Sequence, residues 1–360
     1  MALIHVVIPV YNAKRFLREA VQSVLEQPCK DIEIILVDDG STDGSFELCD
    51  ELASEETRIS VIHQKNQGVS VARNVGIENV LGGGTDGFLA FLDADDAWYP
   101  NVFTEEMVSR ISAAQSDVFV FDAIHSNPEM TKFSAPYGGT VDEVRPGSAS
   151  IWKVRSHFSA LLYPVSLIRK YVIRYNKKMR YSEDVVFRMQ CVFLSEAVHF
   201  CKECLHIYRR HSNGAIGKID SMSSMAYFLP IIEGWIWSDS FINSHKCMTK
   251  RETRAGSVLA GIYLMEMTAR HFMQARPQRE IMPVLYSHPH FSLLRDMRPQ
   301  DVSAKQYKDS RLLLEKTTLF QLKYLVIGFA VRWAKGLRKI PVFAKWEENR
   351  RYPFSELPQK

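Results

Sequence analysis

The sequence predicts an α/β protein with a doubly wound sheet in its first part and a mainly helical C-terminal region. Short apolar runs alternate with segments of helical spacing over about the first hundred residues, and polar residues directly follow three of these runs. From Ser221 onward the apolar spacing is almost wholly helical. We therefore expect a domain boundary near residue 220, between an α/β domain (1–220) and a helical region (221–360).

The first strand is predicted in LIHVVIPV, a continuous apolar run typical of strands covered on both faces. The segment AKRFLREAVQSVLEQ follows, with apolar residues at helical spacing. The alternation continues with the strands IEIILVD, ISVIHQ and GFLAFLD and with the helices SFELCDELASE and GVSVARNVGIENV. This βαβαβαβ order predicts a parallel sheet.

Beyond the fourth strand the pattern is less regular. DVFVFDAIHS predicts a fifth strand, residues 126–150 a loop or hairpin, and SASIWKVRSHFSALLYPVSLIRKY a partly helical stretch. MRYSEDVVFRMQCVFLSE predicts a helix with Ser182 as its N-cap and with Glu183 and Asp184 in the first turn, where the helix dipole favours acids. AVHFCKECLHIYRRHSNGAIG predicts a strand followed by a loop.

Composition limits the class of protein. The 360 residues are 46% hydrophobic and 24% charged, as expected for a globular protein with a sizeable core. The net charge of +4 is too small to indicate a nucleic-acid partner, and we expect none. Six scattered cysteines and no signal-peptide pattern before the first strand predict a reducing cytoplasm. For Cys201 and Cys204, two buried thiols and a redox or zinc role stay as alternatives.

Three predicted strands end in polar or aromatic residues, at 9–12, 38–41 and 93–95. In a doubly wound sheet, ligands bind beyond the carboxyl ends of the strands, so these residues are expected at one edge. Asp93 and Asp95 are two positions apart, which in an extended segment places both carboxylates on one side. Such hard oxygens suit Mg²⁺ or Mn²⁺ bound to phosphate, whereas the alternative is a solvated acidic turn. No glycine-rich phosphate loop follows a strand.

Five segments in order resemble the family 2 glycosyltransferases of the GT-A fold: VVIPVYNAKRFLREAVQSVLEQ, EIILVDDGSTDGS, NQGVSVARNVGI, FLAFLDADDAW and YSEDVVFRMQ. The resemblance covers about residues 3–215. It implies a doubly wound mixed sheet and an inverting, metal-dependent enzyme using Mn²⁺ or Mg²⁺. It also implies a nucleotide sugar donor, most often a UDP-sugar, and a glycan or lipid-linked saccharide acceptor. The implied setting is surface polysaccharide biosynthesis, such as capsule or lipopolysaccharide, in the cytoplasm or at the inner membrane face.

The resemblance also implies roles for individual residues. Tyr11 would stack on the base, Asp39 (or, less typically, Asp38) would accept a hydrogen bond from it, and Arg73 would approach the base or the phosphates. Asp93 would contact the ribose and sugar, and Asp95 would bind the metal. The remaining positions that match the family's motifs are Pro9 and Ala94 for donor binding, Asp184 as catalytic base, Glu183 as its orienting partner, and His211 near the metal or diphosphate.

Each of these positions has a structural alternative. Tyr11 could close a strand, Asp38 and Asp39 could form turns before Gly40, and Arg73 could pair with Asp39 or another strand-end acid. Glu183 and Asp184 could be ordinary first-turn acids of a helix, and His211 could be an exposed loop residue. Beside the metal motif, Asp96 is expected to support or cap it, and Trp98 to form a sugar-binding wall or to pack in the core.

Two other classes of function are consistent with fewer of these features. A non-catalytic sugar-binding module on a decayed transferase fold would not need both Asp95 and Asp184. A nucleotidyltransferase shares the paired carboxylates, but it usually carries a basic, glycine-rich loop near its start, which VIPVYNAKRF is not.

Residues 319–339 predict an amphipathic helix. We do not expect this helix to span a bilayer, because no uninterrupted apolar run reaches the ~18 residues that this requires. The apolar side would carry Leu322, Leu325, Val326, Phe329, Trp333 and Leu337. The basic residues Arg332, Lys335 and Lys339 fall toward the other side, and Lys345 follows. Peripheral binding to a membrane and packing within the C-terminal region stay as the two alternatives.

Overall fold

The computed structural model describes residues 3–136, 143–144, 158–179 and 183–211, and short stretches between 241 and 357. The chain divides into two compact units. The first comprises Met1–Pro146, Lys153–Ser212 and Tyr352–Lys360, and the second comprises Gly147–Trp152 and Asn213–Arg351. The boundary near residue 220 stays a prediction.

The first unit follows the predicted alternation of strands and helices. Its first half consists of β1 (Ile4–Val10), α1 (Lys14–Leu25), β2 (Ile32–Asp38), α2 (Ser45–Glu55), β3 (Ile59–His63), α3 (Val69–Gly82) and β4 (Phe88–Phe91). Then come β5 (Ala97–Trp98), α4 (Glu105–Ala113), β6 (Val118–Ser126), β7 (Glu143–Val144), β8 (Leu161–Pro164), α5 (Val165–Tyr171), α6 (Glu183–Leu194) and β9 (Val198–Arg209). Ser182, the predicted cap of α6, lies outside the described residues.

The described strands form one sheet in the order β3-β2-β1-β4-β8-β6-β9-β5, with β7 also paired to β9. The pairs between β3, β2, β1 and β4 are parallel, whereas β8 is antiparallel to both β4 and β6. The mixed α/β sheet is thus confirmed, and the four strands of the predicted alternation, β1 to β4, are parallel as expected. The alternation of parallel strands and helices ends there. The short strand β8, from the segment expected to be partly helical, inserts between β4 and β6.

Buried strands and tightly packed helices hold the sheet together. All seven residues of β1 are buried, and Leu17, Ala20, Val21 and Val24 form the buried face of α1. Gly76 lets α3 approach β1, because a Cβ there would lie 2.3 Å from a methyl carbon of Val7. Trp98, on β5, is 2% exposed and lies 5.1 Å from the Phe103 ring, so it packs in the core and forms no sugar-binding wall.

The second unit is described at fewer positions. They include α7 (Ala304–Glu315) and helical residues at 318–324. Within the part of the chain that the structure describes, no helix is long and apolar enough to cross a membrane.

Candidate active site

The polar strand ends meet at one edge of the parallel half of the sheet. Val10, the last residue of β1, pairs with Asp38, the last residue of β2, and β4 runs parallel beside β1. Pro9 is buried within β1, and Tyr11 just beyond it is 54% exposed. An exposed aromatic ring at this edge offers a flat apolar surface to a ligand.

The two acids at the end of β2 are buried, and their carboxylates accept hydrogen bonds from nearby residues. Asp38 accepts a hydrogen bond from the backbone N–H of Ser41 at 3.2 Å and lies 3.2 Å from Nδ1 of His63, so it forms the turn after β2. Gly40 in that turn has φ +74°, and a Cβ there would lie 2.9 Å from the backbone nitrogen of Asn66. Only glycine fits this turn without strain.

Asp39 holds the loop that leads to α3. Its carboxylate accepts hydrogen bonds from Gln64 Nε2 at 2.6 Å and from the backbone N–H groups of Gln67 and Gly68, both at 2.8 Å. A carboxylate has about four lone-pair sites. Three bonds therefore leave Asp39 capacity for one further donor.

Arg73 on α3 connects two carboxylates from distant parts of the chain. Its Nη2 donates to Asp93 Oδ1 at 2.7 Å and its Nη1 to Glu183 Oε1 at 3.0 Å. The guanidinium is 3% exposed and lies over the rings of Phe158 and Tyr175, at 4.5 Å and 5.2 Å. Burial opposes its charge, but the nearby carboxylates hold the pKa of Arg73 above its ordinary value. Of the alternatives for Arg73, pairing with a strand-end acid is observed, and the acid is Asp93 instead of Asp39.

The segment with Asp93 and Asp95, the predicted metal-binding motif, forms a turn and not the extended segment that its spacing suggested. The backbone N–H of Asp96 donates to the carbonyl of Asp93 at 3.0 Å, and Ala94 is buried in between. As a result, the carboxylates of Asp93 and Asp95 have different partners. Asp93 binds Arg73, whereas Asp95 Oδ2 lies 2.8 Å from Nε2 of His211.

Asp96 supports the turn from beneath. It is 1% exposed, its Oδ1 accepts a hydrogen bond from the backbone N–H of Arg209 at 2.8 Å, and its Oδ2 lies 3.0 Å from Nε2 of the buried His206. Burial, together with the charges of Asp95 and Asp93, raises the pKa of Asp96, and burial lowers the pKa of His206 to about 4. These directions favour an uncharged pair beneath the turn.

Glu183 and Asp184 are both in the first turn of α6, but their surroundings differ. Glu183 has an 11% exposed side chain and faces Arg73, whereas Asp184 is half-buried. Burial raises the pKa of Glu183 to about 7, and the charge of Asp184 acts in the same direction while Arg73 opposes it. The structure therefore joins Glu183 to Asp93 through Arg73, and leaves Asp184 more accessible.

Arg209, at the end of β9, was not predicted from the sequence. Its side chain is 2% exposed and its Nε donates to the backbone carbonyl of Asp95 at 2.7 Å. The only sequence signal is its place two residues before His211 at the end of a predicted strand.

The fold is that of known GT-A glycosyltransferases. A crystal structure of S. aureus TarS residues 1–349 in complex with UDP-GlcNAc superposes with a TM-score of 0.61 at 16% identity, covering 92% of each chain. At that identity the likeness shows the fold alone.

Sequence comparison defines the family. The profile of "Glycosyl transferase family 2" matches residues 5–163. Glycosyltransferase GlyG of Streptococcus pneumoniae serotype 4 (strain ATCC BAA-334 / TIGR4) is 30% identical over 58% of this chain and 71% of GlyG. The uncharacterized glycosyltransferase EpsJ of Bacillus subtilis (strain 168) is 29% identical over 59% of this chain and 62% of EpsJ. The chain belongs to glycosyltransferase family 2 and is an enzyme of the glycosyl-transferring class, as the five segments predicted.

Proposed function

We propose that this enzyme transfers a sugar from a UDP-sugar to a hydroxyl group of a glycan or lipid-linked saccharide, with inversion at the anomeric carbon, in surface polysaccharide biosynthesis. The observation that carries the proposal is the Asp93–Arg73–Glu183 bridge, with bonds of 2.7 Å and 3.0 Å. It joins the acid expected at the donor sugar to the first turn of α6, which also carries the proposed base, Asp184. Donor and acceptor chemistry would thus meet at one edge of the sheet.

Donor binding would use the ends of β1 and β2. Tyr11 is 54% exposed and would stack on the base, because every base offers a π-face to an aromatic ring. Asp39 has room for one more donor, which suits an N–H group of uracil. The TarS structures with UDP and with UDP-GlcNAc support a uridine nucleotide as the donor type, and the sugar itself is not specified by these residues.

The candidate metal ligands suit a divalent cation that is coordinated partly by the protein and partly by a diphosphate. Asp95 and His211 offer a carboxylate oxygen and an imidazole nitrogen 2.8 Å apart. No cluster of three such protein ligands occurs among the described residues, and Mg²⁺-type ions are commonly held by one or two carboxylates plus substrate phosphates. We therefore propose Asp95 and His211 as the protein ligands of Mn²⁺ or Mg²⁺. When bound, such an ion would stabilise negative charge on the departing diphosphate.

The chain's own residues would carry out the proton transfer. Asp184 would accept the proton of the acceptor hydroxyl, whose oxygen attacks the anomeric carbon opposite the nucleoside diphosphate. Glu183, held by Arg73, would fix the start of α6 and so orient Asp184. A single displacement of this kind inverts the configuration at the anomeric carbon.

The proposal is tested by a screen of nucleotide sugars with Mn²⁺, scored by the release of nucleoside diphosphate and by the product linkage. A UDP-sugar should be preferred and the linkage inverted. Preference for a non-uridine donor, retention of configuration, or release of pyrophosphate in place of nucleoside diphosphate would contradict the proposal.

Asp95→Ala is expected to weaken UDP binding in Mn²⁺ and to remove most of its metal dependence, because a hard oxygen ligand shared with the diphosphate is lost. Calorimetry of UDP binding with and without chelator measures both effects. Asp86→Ala is a matched control, since Asp86 is an exposed acid paired with Arg169 and precedes β4 instead of following it. Equal, chelator-insensitive affinity in wild type and Asp95→Ala would rule out the metal role.

We also propose that the helix predicted at residues 319–339 binds an anionic membrane surface, where a lipid-linked acceptor would reside. Leu319, Leu322 and Val326 are 50%, 55% and 60% exposed, at helical spacing. Phe320, in the same stretch, is buried and therefore does not belong to this exposed face. The sequence continues with Arg332, Lys335 and Lys339, which lie outside the described residues. Exposed apolar residues followed by basic ones are typical of interfacial helices.

A further inference from the structure

Arg209 makes an unusual set of contacts for a residue at the end of a strand. Its Nε donates to the Asp95 carbonyl at 2.7 Å, its Nη1 to the Pro128 carbonyl at 2.6 Å, and its Nη2 to Glu19 Oε2 at 2.6 Å. Its guanidinium also lies 4.6 Å from the centre of the Phe16 ring. One side chain therefore ties together the Asp93–Asp96 turn, α1 and the loop after β6.

These contacts converge on Asp95 from the end of β9. The carbonyl of Asp95 is held by the Arg209 side chain, and its carboxylate by His211, two residues further on. The next residue, Asp96, accepts the backbone N–H of Arg209 at 2.8 Å. The Asp95–Asp96 peptide is thus anchored to β9, which fixes the backbone from which the Asp95 carboxylate reaches His211.

The chemistry of the guanidinium suits this set of contacts. Its donors form a rigid planar fork, so that three acceptors from different elements can be bound at once. The ammonium group of lysine is a single point that cannot reach all three positions. Glu19, whose side chain is 51% exposed, is the carboxylate that compensates the buried charge.

We propose that Arg209 is a positioning residue that presets the Asp95 carboxylate for a divalent cation carrying a nucleoside diphosphate. The proposal rests on the proposed function, because it assigns Arg209 to the same site. Arg209 would not touch the donor. It would act through Asp95, by removing conformations that must otherwise be excluded when the cation binds.

The test is calorimetry of UDP binding to wild type and Arg209→Lys, each with Mn²⁺ and with chelator. We expect Arg209→Lys to lose about tenfold or more in UDP affinity with Mn²⁺, the scale typical for residues that orient metal ligands, and little with chelator. In Asp95→Ala the same Arg209→Lys change should cost nothing further, because Arg209 acts through Asp95. A merely structural role would lower both affinities together with the melting temperature.

Two further variants complete the design. Arg18→Lys is the matched control. Arg18 lies on α1, the helix that Arg209 contacts, and it binds Glu51 and Glu55 on the exposed surface. If Arg209→Lys does not fold, Glu19→Ala replaces it, because it removes one anchor of Arg209 at a half-exposed position. It should lower the affinity severalfold with Mn²⁺ only.

The outcomes separate the two proposals. If Mn²⁺ strengthens UDP binding to wild type and Arg209→Lys binds UDP with unchanged affinity, the positioning role is overturned and the proposed function is left intact. The same holds for unchanged affinity in Glu19→Ala where that variant replaces Arg209→Lys. Wild-type protein that binds no UDP with Mn²⁺ would overturn both.

Discussion

Arg73 is a buried cation whose position depends on two acids that are far from it in sequence. Asp93 and Glu183 each lie within 3.0 Å of its guanidinium, and aromatic rings cover its faces. Removing one partner of a buried ion pair typically costs about 3–5 kcal/mol, because the remaining charge is left uncompensated. The three residues are therefore expected to act as a unit, in which a change at one alters the other two.

Glu183 should make stability depend on pH in a defined direction. Its pKa is raised to about 7 by burial and by Asp184, so the folded state binds its proton more tightly than the unfolded state does. Stability from this group is full below about pH 4.5 and is lost as pH rises toward 7. The melting temperature of Glu183→Gln, taken relative to that of wild type, should therefore rise as pH increases from 5 to 8. A difference that is constant across this range would contradict the raised pKa.

Asp184→Asn should abolish sugar transfer while leaving UDP binding nearly intact, because the proposed base acts on the acceptor proton and not on the donor. Transfer assays and calorimetry with UDP measure the two effects separately. The control is Asp86→Asn, which removes an exposed acid far along the chain from α6. Transfer at a near wild-type rate by Asp184→Asn would show that another group is the base.

At the scale of elements, loops at the sheet edge are held by side chains that cross between strands and helices. His63 at the end of β3 lies 3.2 Å from Asp38 at the end of β2 and 3.1 Å from Asp50 on α2. Its ring also stacks on Phe46, with centroids 3.8 Å apart. A single imidazole thus joins three elements beside the proposed base-binding residues.

This link should weaken at high pH. Burial alone would lower the pKa of His63, but hydrogen bonds to Asp50 and Asp38 raise it overall. The stabilisation is therefore complete below the unfolded-state pKa of about 6.5 and is lost as pH rises through the higher folded value. His63→Gln should lower the melting temperature most at pH 5.5, with a deficit that shrinks toward pH 9.

His5 provides a control of opposite sign for this experiment. Burial lowers the pKa of His5 despite the nearby carboxylate of Glu33. Wild-type protein should therefore lose stability relative to His5→Gln as pH falls below about 6.5. The same trend in His5→Gln and His63→Gln would contradict the assignment for His63.

For the whole molecule, the proposed membrane contact predicts that the enzyme acts at an anionic lipid surface. Wild-type protein should co-sediment with vesicles containing phosphatidylglycerol at low salt, since each basic residue near an anionic surface contributes about 1 kcal/mol. The double variant Leu322→Glu/Val326→Glu should lose this binding, as should a version ending at Lys316. Val172→Glu, at an apolar residue that is 63% exposed on the first unit, is the control. Wild type that ignores the vesicles, or variants that bind as wild type does, would contradict membrane binding.

The sequence alone was sufficient for the alternation of β1 to β4, for the acids that follow the strands, and for the family. Apolar periodicity reports which residues of a segment are buried, and it predicts an element wherever burial of one face decides the local structure. It also sufficed for β6, α6 and β9, whose patterns are long. It did not suffice for β5 and β8, which span two and four residues, because so short a pattern fits several structures.

Only the tertiary structure decided which of these residues meet. Arg73 and Glu183 are 110 positions apart and Asp95 and His211 are 116 apart, and their contacts depend on the placement of β8, β6 and β9 beside β4. Strand order is chosen by packing over the whole sheet, so the residue types alone could not distinguish Asp93 from Asp39 as the partner of Arg73. The turn at Asp93–Asp96 and the role of Arg209 depend on the same long-range contacts. The sequence determined the chemistry available at the sheet edge, and the fold determined its pairing, because periodicity is local whereas strand order is not.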